Sequence, residues 1–486
     1  MSTRSGDEWS LEDARWRLFR LTDGPLEAKT PAHSRWWEQF GIPLGTPFLL
    51  SPSFAYDREL NEFFYSADML STRLSTRVGY AGDLVMFFNF LYRGRGVVDW
   101  RDATETDHRA YLLWRRQDPQ GPLVSGRTWD REVSSQNRFF RWQTSRGRVT
   151  ENPIPQRDSR PGPRSAPRSV EQTAATYSHD ARREHVHWLP AASYRTWRDV
   201  GVRGYTTDAL PDPSFRGRWA VRNAAFTDLM VRTGLRLTEQ ASLLVAEIPS
   251  EPAGGYSRFW LGSAVAKWGS ERWIYAPASV LREIAEYVRV DRRGVIESAR
   301  ARGRYEHAAG PILDPDSGVV ITRAGGGLLS RTRVANLPPS ERARLMVEAE
   351  DGLEPAALWL TEDGASVSVS TWKDMFRQAN ERCTARGLAL RAHAHLLRHT
   401  FAVLTLEQLQ RGHIAALAGL KPEQRTHYVR VFGDPLDWVR RALGHRSVTT
   451  TQIYLHALEE LELETRLTLI PDEWDDPRAA RSGGGA

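Results

Sequence analysis

At 486 residues the chain is too long for one ordinary hydrophobic core, and 41% hydrophobic with 26% charged residues is a globular composition that excludes disorder throughout. The single cysteine, Cys383, excludes an intramolecular disulfide framework and a cysteine-based zinc cluster, and no apolar run approaches the roughly 18–20 residues of a membrane span. The net charge of +6 hides a bias: of 66 basic residues four are lysine, at 29, 267, 373 and 421, and the rest are arginine, whose planar fork suits phosphate. A lysine at a mechanistically special position is therefore not generic surface filler. The polar start, Met1-Ser2-Thr3-Arg4, leads into no signal-like stretch, which predicts a reducing, cytoplasmic setting.

Residues 1–56, with mixed charge, tryptophan and proline, form an N-terminal extension of unassigned role. From 57 to 155 the pattern turns helical: Leu70, Leu74, Tyr80, Leu84, Phe87, Phe88 and Leu91 recur at three- and four-residue steps. Tyr111, Leu112 and Trp114 follow, then Val133, Phe139, Phe140 and Trp142, and Asn152-Pro153 closes a predicted domain of four or five helices. Residues 156–185 crowd proline, glycine, serine and arginine and read as an extended, mobile linker.

A second domain is predicted over 186–470, followed by a frayed tail at 471–486. Phe259-Trp260-Leu261 and Trp273-Ile274-Tyr275 flank the turn residues Trp268-Gly269-Ser270 and predict a β region over 256–276. Helices are expected at 278–290, 371–386, 395–410, 435–443 and 450–466. The interval 291–365 is rich in glycine and proline. Its Ala324-Gly325-Gly326-Gly327 run lacks the partners of a phosphate loop, Asp314-Pro315-Asp316-Ser317-Gly318 lacks those of a calcium loop, and turns and loop insertions are the better reading.

Four segments of this domain bear on chemistry. In Thr233-Gly234-Leu235-Arg236-Leu237-Thr238-Glu239 a helix ends at Gly234 and Thr238 is placed to cap the next, leaving Arg236 in a tight turn with Glu239 in reach. Lys267 stands at the end of a strand, before the hairpin turn. In His395-Leu396-Leu397-Arg398-His399 the i, i+3 spacing puts His395 and Arg398 on one helix face, with Leu397 and Phe401 toward the core. His395 and His399 have zinc-pair spacing, but no glutamate base lies between them and no third ligand is evident. Finally, Gly444 ends a helix, His445 occupies the turn, and the next helix carries Tyr454.

Each segment alone has a bland explanation: a surface arginine, a solvated hairpin lysine, a core tyrosine. One chemistry uses the whole set. Two arginines and histidine N–H donors can bind the non-bridging oxygens of a phosphodiester without a metal, a tyrosine hydroxyl can attack it, and a lysine can protonate the leaving oxygen.

Residues 233–243, Lys267, 395–402 and 443–456 resemble the signature boxes of the tyrosine recombinase (phage integrase) family, in the order Arg…Lys…His-x-x-Arg…His…Tyr. The helical region 57–155 is similar to that family's core-binding domain. The resemblance implies a mainly α fold, a helical core-binding domain plus a mainly helical catalytic domain with a small antiparallel sheet, closing as a C-shaped clamp on DNA. It implies that Arg236 and Arg398 clamp the scissile phosphate with Glu239 supporting Arg236, that Lys267 is the general acid, that His395 and His445 assist, and that Tyr454 forms a 3′-phosphotyrosine. It further implies no cofactor, and four protomers joining two duplexes at a specific site, with accessory bending or excision factors as partners. Integration, excision or transposition of a mobile element is the favoured role. The alternatives are a plasmid or chromosome-dimer resolving enzyme, a non-catalytic DNA-binding relative, and a metal hydrolase using His393, His395 and His399. Two intervals, 291–365 and 408–432, are longer than the family pattern.

Overall fold

Chain contacts divide the protein into two units, Met1–Glu184 and His185–Ala486. The structure, a computed structural model, describes residues 14–22, 42–157, 173–178, 186–249, 255–306, 310–323, 329–418 and 434–467.

In the first unit a two-stranded antiparallel sheet, β1 (Arg17–Arg20) and β2 (Pro47–Leu50), precedes five α-helices. These are α1 (Arg58–Glu62), α2 (Ala67–Leu70), α3 (Leu74–Phe90), α4 (Glu105–Arg116) and α5 (Gly126–Ser145). Their starts are written locally: Asp57 caps α1, Ser66 caps α2, Thr104 with Asp107 forms a capping box on α4, and Ser125 caps α5. Phe63, Phe87, Phe88, Tyr111, Trp129 and Phe139 are fully buried between them.

The N-terminal extension has a structural role that its sequence did not disclose. Trp16 and Leu49 belong to the same core. The Asn61 side chain accepts from Leu49 N at 2.7 Å and donates to Leu49 O at 2.9 Å, while Asn89 Oδ1 accepts from Trp16 N at 2.7 Å. The linker reading also needs correction where it is described, at 156–157 and 173–178. Strand β3 (Gln156–Arg157) pairs with β4 (Thr173–Ala174), Ala174 is buried, and Trp129 Nε1 donates to Thr176 O at 2.7 Å. Backbone hydrogen bonds, the Ala174 and Tyr177 side chains and the Thr176 hydroxyl, 2.9 Å from His108 Nε2, dock a segment that lacks a periodic apolar face. Residues 158–172 lie outside the described residues.

The second unit begins with α6 (Ala191–Trp197), α7 (Ala220–Thr233) and α8 (Leu237–Ala241). Helix α7 is buried nearly all round, as a central core helix should be, and its Phe226 stacks on Trp372 at 3.6 Å. The hairpin β5 (Tyr256–Leu261) and β6 (Arg272–Pro277) follows in antiparallel register, then α9 (Ala278–Tyr287) and α10 (Arg293–Ala301).

The interval read as loops is instead folded. Strands β7 (Ile312–Asp314), β8 (Val319–Arg323), β9 (Leu329–Arg333), β10 (Met346–Ala349) and β11 (Gly352–Pro355) form a sheet in the order β11-β10-β7-β8-β9, with α11 (Pro339–Arg342) between β9 and β10. Only the β10–β7 pairing is parallel, and one core unites Leu244, Leu313, Val320, Leu337, Leu345 and Ala356. The 314–318 segment is the β7–β8 turn, with Asp314 Oδ1 accepting from Asp316 N at 3.1 Å. The glycine run at 324–328 lies outside the described residues.

Helices α12 (Val369–Ala385), α13 (Ala394–Ala418), α14 (Pro435–Leu443) and α15 (Thr449–Leu467) complete the unit. The expected insertion at 408–432 is described only to residue 418, within α13, and the 471–486 tail lies outside the described residues. The architecture is mainly helical with small sheets, as expected, but besides the expected hairpin the described residues hold the β1–β2 and β3–β4 pairs and the five-stranded sheet. Among the described residues no helix is long and apolar enough to cross a membrane.

Candidate active site

Helix α7 stops at Gly234, whose φ of +64° is open to glycine at little strain and where a Cβ would fall 2.4 Å from the Phe401 ring. The chain turns at once into α8, and this corrects one detail: Arg236, not Thr238, is the N-cap residue. Glu239 Oε2 accepts from Arg236 N at 3.0 Å, and Glu239 Oε1 accepts from Arg236 Nη1 at 2.7 Å. The third-position carboxylate reaches back to the N–H of the cap residue itself, one half of a capping box.

Glu239 is completely buried and is shared. Arg272 on β6 donates to its Oε2 from Nη2 at 2.7 Å, and Arg272 Nε donates to Ala442 O at 2.9 Å. Burial alone would push the Glu239 carboxyl up; the Arg272 and Arg236 guanidiniums overcome it and hold it at about 2. Arg398 on α13 is buried too, donating to Gly234 O and Leu443 O and so tying the α7 and α14 ends together. Burial and then Arg236 lower its pKa to about 9, which leaves it cationic at neutral pH.

Arg236, Lys267, His395 and Arg398 line one cavity of about 1130 Å³, together with Lys373, Arg377 and Arg391. Lys267 is exposed at the hairpin tip, and its backbone N lies 3.5 Å from Glu239 Oε1. Beside the cavity His395 and His399 meet edge to face at 4.3 Å between ring centres, and His399 Nδ1 is 2.9 Å from the Tyr454 hydroxyl. Tyr454, on α15, is 1% exposed; burial raises its pKa to about 12 against the pull of Arg398 and Arg236. His445 stacks parallel to it with ring centres 6.3 Å apart, and His445 Nδ1 lies 3.0 Å from Thr451 Oγ1. Burial, Arg398 and Arg236 lower the His445 pKa to about 3, so its ring is neutral at pH 7. All six residues singled out in the sequence thus fall in one neighbourhood. His393 is not placed as a metal ligand; its Nδ1 accepts from Leu396 N at 3.2 Å and caps α13. No cluster of three or more His, Cys, Asp or Glu among the described residues is arranged to hold a metal ion.

Residues 56–147 match the phage integrase N-terminal SAM-like domain. Tyrosine recombinase XerC of Lactobacillus delbrueckii subsp. bulgaricus is 21% identical over 392 residues, spanning 80% of this chain and 91% of its own. Tyrosine recombinase XerC of Roseiflexus castenholzii is 23% identical over 418 residues, 86% of this chain and 92% of its own. Over most of its length the chain is therefore similar to tyrosine recombinases. Among solved structures, the XerH site-specific recombinase bound to palindromic difH substrate aligns over 94% of this chain and 92% of its own at 14% identity and a TM-score of 0.48.

Two residues of the site escaped sequence reasoning. Arg272 lies in a strand 33 residues from Glu239, and nothing local announces their pairing. His399 was weighed only as half of a zinc pair; the available signal was its place one residue beyond Arg398, on the side of α13 that faces α15.

Proposed function

We propose that this recombinase is a site-specific DNA strand transferase that cuts and rejoins duplex DNA through a 3′-phosphotyrosine. The observation that carries the reading is the convergence of Arg236, Arg398, Lys267 and His395 on one cavity with Tyr454 held beside it. Arg236 projects from its cap with one side on Glu239, and Arg398 adds a second fixed cation; together they neutralise the charge that builds on the non-bridging oxygens of an attacked phosphate. The Tyr454 oxygen forms the new bond to phosphorus and the bond to the 5′-oxygen breaks. The phenol proton passes to His399 Nδ1, and a proton from Lys267 goes to the departing 5′-oxygen. His395 and His445 donate N–H groups to the same oxygens. The chemistry assigned to these side chains calls for no cofactor or metal. Because Tyr454 is buried, α15 must shift for the phenol to reach a phosphate in the cavity.

In this reading the first unit is the core-binding domain that holds the other side of the duplex, four protomers synapse two duplexes in the cytoplasm, and accessory factors bend or direct the DNA. The extra folded sheet at 312–355 and the N-terminal strands exceed what a minimal resolving enzyme requires, which favours integration or excision of a mobile element. A nicked suicide substrate tests the chemistry. Wild-type protein is expected to form a covalent adduct and Tyr454→Phe to bind the duplex yet form none; an adduct that persists in the variant overturns the assignment.

A further inference from the structure

The five-stranded sheet at 312–355 is fastened to the catalytic core beside Lys267. Arg342, 2% exposed, donates from Nε to Ser242 O and from Nη1 to Val334 O, both at 3.0 Å, and pairs with Glu247. One side chain therefore ties the inserted sheet to the turn and short 3-10 helix that follow α8. Just past β9 the chain approaches the end of β5 closely enough that a side chain there would be crowded. At Gly262, one residue past β5, a Cβ would stand 3.0 Å from Ala335 O and 3.2 Å from both Ala335 Cα and Cβ.

Gly262 in turn starts the turn that ends in Lys267. Its carbonyl accepts from Val265 N at 3.2 Å and Ala266 N at 3.0 Å, and Val265 and Ala266 are 5% and 0% exposed. From the other direction, Glu239 Oε1 lies 3.5 Å from Lys267 N. The backbone that presents Lys267 is thus seated between the site's central carboxylate and the inserted sheet.

We propose that the inserted sheet positions Lys267, acting through the backbone contact of Ala335 with Gly262, so that both are positioning residues for proton delivery to the 5′-oxygen. The inference rests on the reading of Lys267 as general acid. A Cβ at 262 must push the turn off Ala335 by a few tenths of an ångström, and displacement of a proton donor is amplified in rate; a shift of about 1 Å costs on the order of 10²-fold.

The test compares two nicked substrates, one ordinary and one whose bridging 5′-oxygen is sulfur, a leaving group that needs no proton. Gly262→Ala is expected to cleave ordinary DNA about 10- to 100-fold slowly and to return near the wild-type rate on the sulfur substrate, as Lys267→Ala does, while Arg398→Lys stays slow on both. Ala335→Val makes the same perturbation from the sheet side and serves if Gly262→Ala folds poorly. General destabilisation would slow both substrates together, so the ratio of the two rates isolates positioning. If Lys267→Ala is rescued by sulfur but the Gly262 and Ala335 variants are slow on both substrates, or match wild type on both, the positioning role is wrong. If Lys267→Ala is itself not rescued, the general-acid reading fails and this inference falls with it.

Discussion

Each unit buries an arginine–glutamate pair, and the two pairs are built to opposite ends. In the first unit Glu132 is matched by Arg115, which reaches it through both Nε and Nη2, and by the Tyr111 hydroxyl at 3.0 Å. That pair is closed: one anion, one cation, every near donor aimed inward. In the second unit Glu239 faces Arg236 and Arg272, and Arg398 lies close enough to feel both. One carboxylate serves three guanidiniums, and Arg236 and Arg398 reach the cavity. The first arrangement stabilises a helix pair. The second leaves uncompensated positive charge in a low-dielectric pocket, which is where a phosphodiester gains most from electrostatic contact.

The largest effect expected from this contrast is on stability. Arg115→Met should destabilise the first unit by about 3–5 kcal/mol, because Glu132 stays buried without its cation. Arg272→Met should cost less, since Glu239 keeps Arg236, but it should slow strand cleavage by loosening Arg236. Separate chemical denaturation of the two units, with cleavage rates normalised to folded protein, checks both. Equal losses of stability with no change in cleavage would erase the distinction.

Next in size is catalysis. Removing one fixed donor from developing phosphate charge typically costs about 10²–10³-fold in rate. Arg236→Ala and Arg398→Lys are expected in that range on ordinary and sulfur-substituted DNA alike, with duplex affinity falling far less. A variant of either arginine that cleaves at the wild-type rate removes the charge argument. Arg398→Lys is preferred to alanine because the Gly234 and Leu443 carbonyls would otherwise be left unpaired in the core.

The site was far more legible in the sequence than the surrounding fold, and the reason is range. Gly234 and Arg236 are two residues apart, His395 and Arg398 share a face by helix geometry, and Gly444-His445 is a helix end followed by a turn. Such relations are local, so spacing alone reveals them. The inserted sheet depends on pairings such as Met346 with Ile312, and on short strands such as Leu329–Arg333 that are exposed along most of their length and show no alternation. The β1–β2 sheet is invisible for the same reason, since the partner of Trp16 is Asn89. The Thr238 cap failed on a competing local rule: Glu239 reaches back to the Arg236 N–H, which starts the helix two residues earlier.

Acid should weaken the second unit through groups of the site itself. His445 has its pKa lowered from 6.5 to about 3, so between those values the unfolded chain binds the proton that the folded chain refuses, and stability falls as pH drops through that window. Glu239, lowered from 4.5 to about 2, adds loss in the same direction once the pH is below 4.5. Denaturation midpoints of the second unit should therefore decline from pH 6.5 downward, and His445→Gln should flatten the upper part of that slope while leaving the part below 4.5. An unchanged slope in the variant would mean that another group carries the titration.

The smallest effect is the most direct probe of the charge excess. Sulfate is a tetrahedral oxyanion like a phosphodiester's phosphate group but offers no ester bond to cleave, and it should enter the Arg236–Arg398 cavity. Binding to the folded state alone stabilises by RT ln(1 + [L]/Kd), about 1 kcal/mol when free sulfate is five times its Kd. The second unit should gain that increment over chloride at equal ionic strength, and the first unit, whose Glu132 pair is closed, should not. General salting effects would raise both units together. Arg236→Ala supplies the decisive arm: it removes a cavity cation while Arg272 still covers Glu239, so the sulfate increment should shrink toward zero. If Arg236→Ala retains the full increment, sulfate binds elsewhere and the cavity is not the anion site that Arg236 and Arg398 describe.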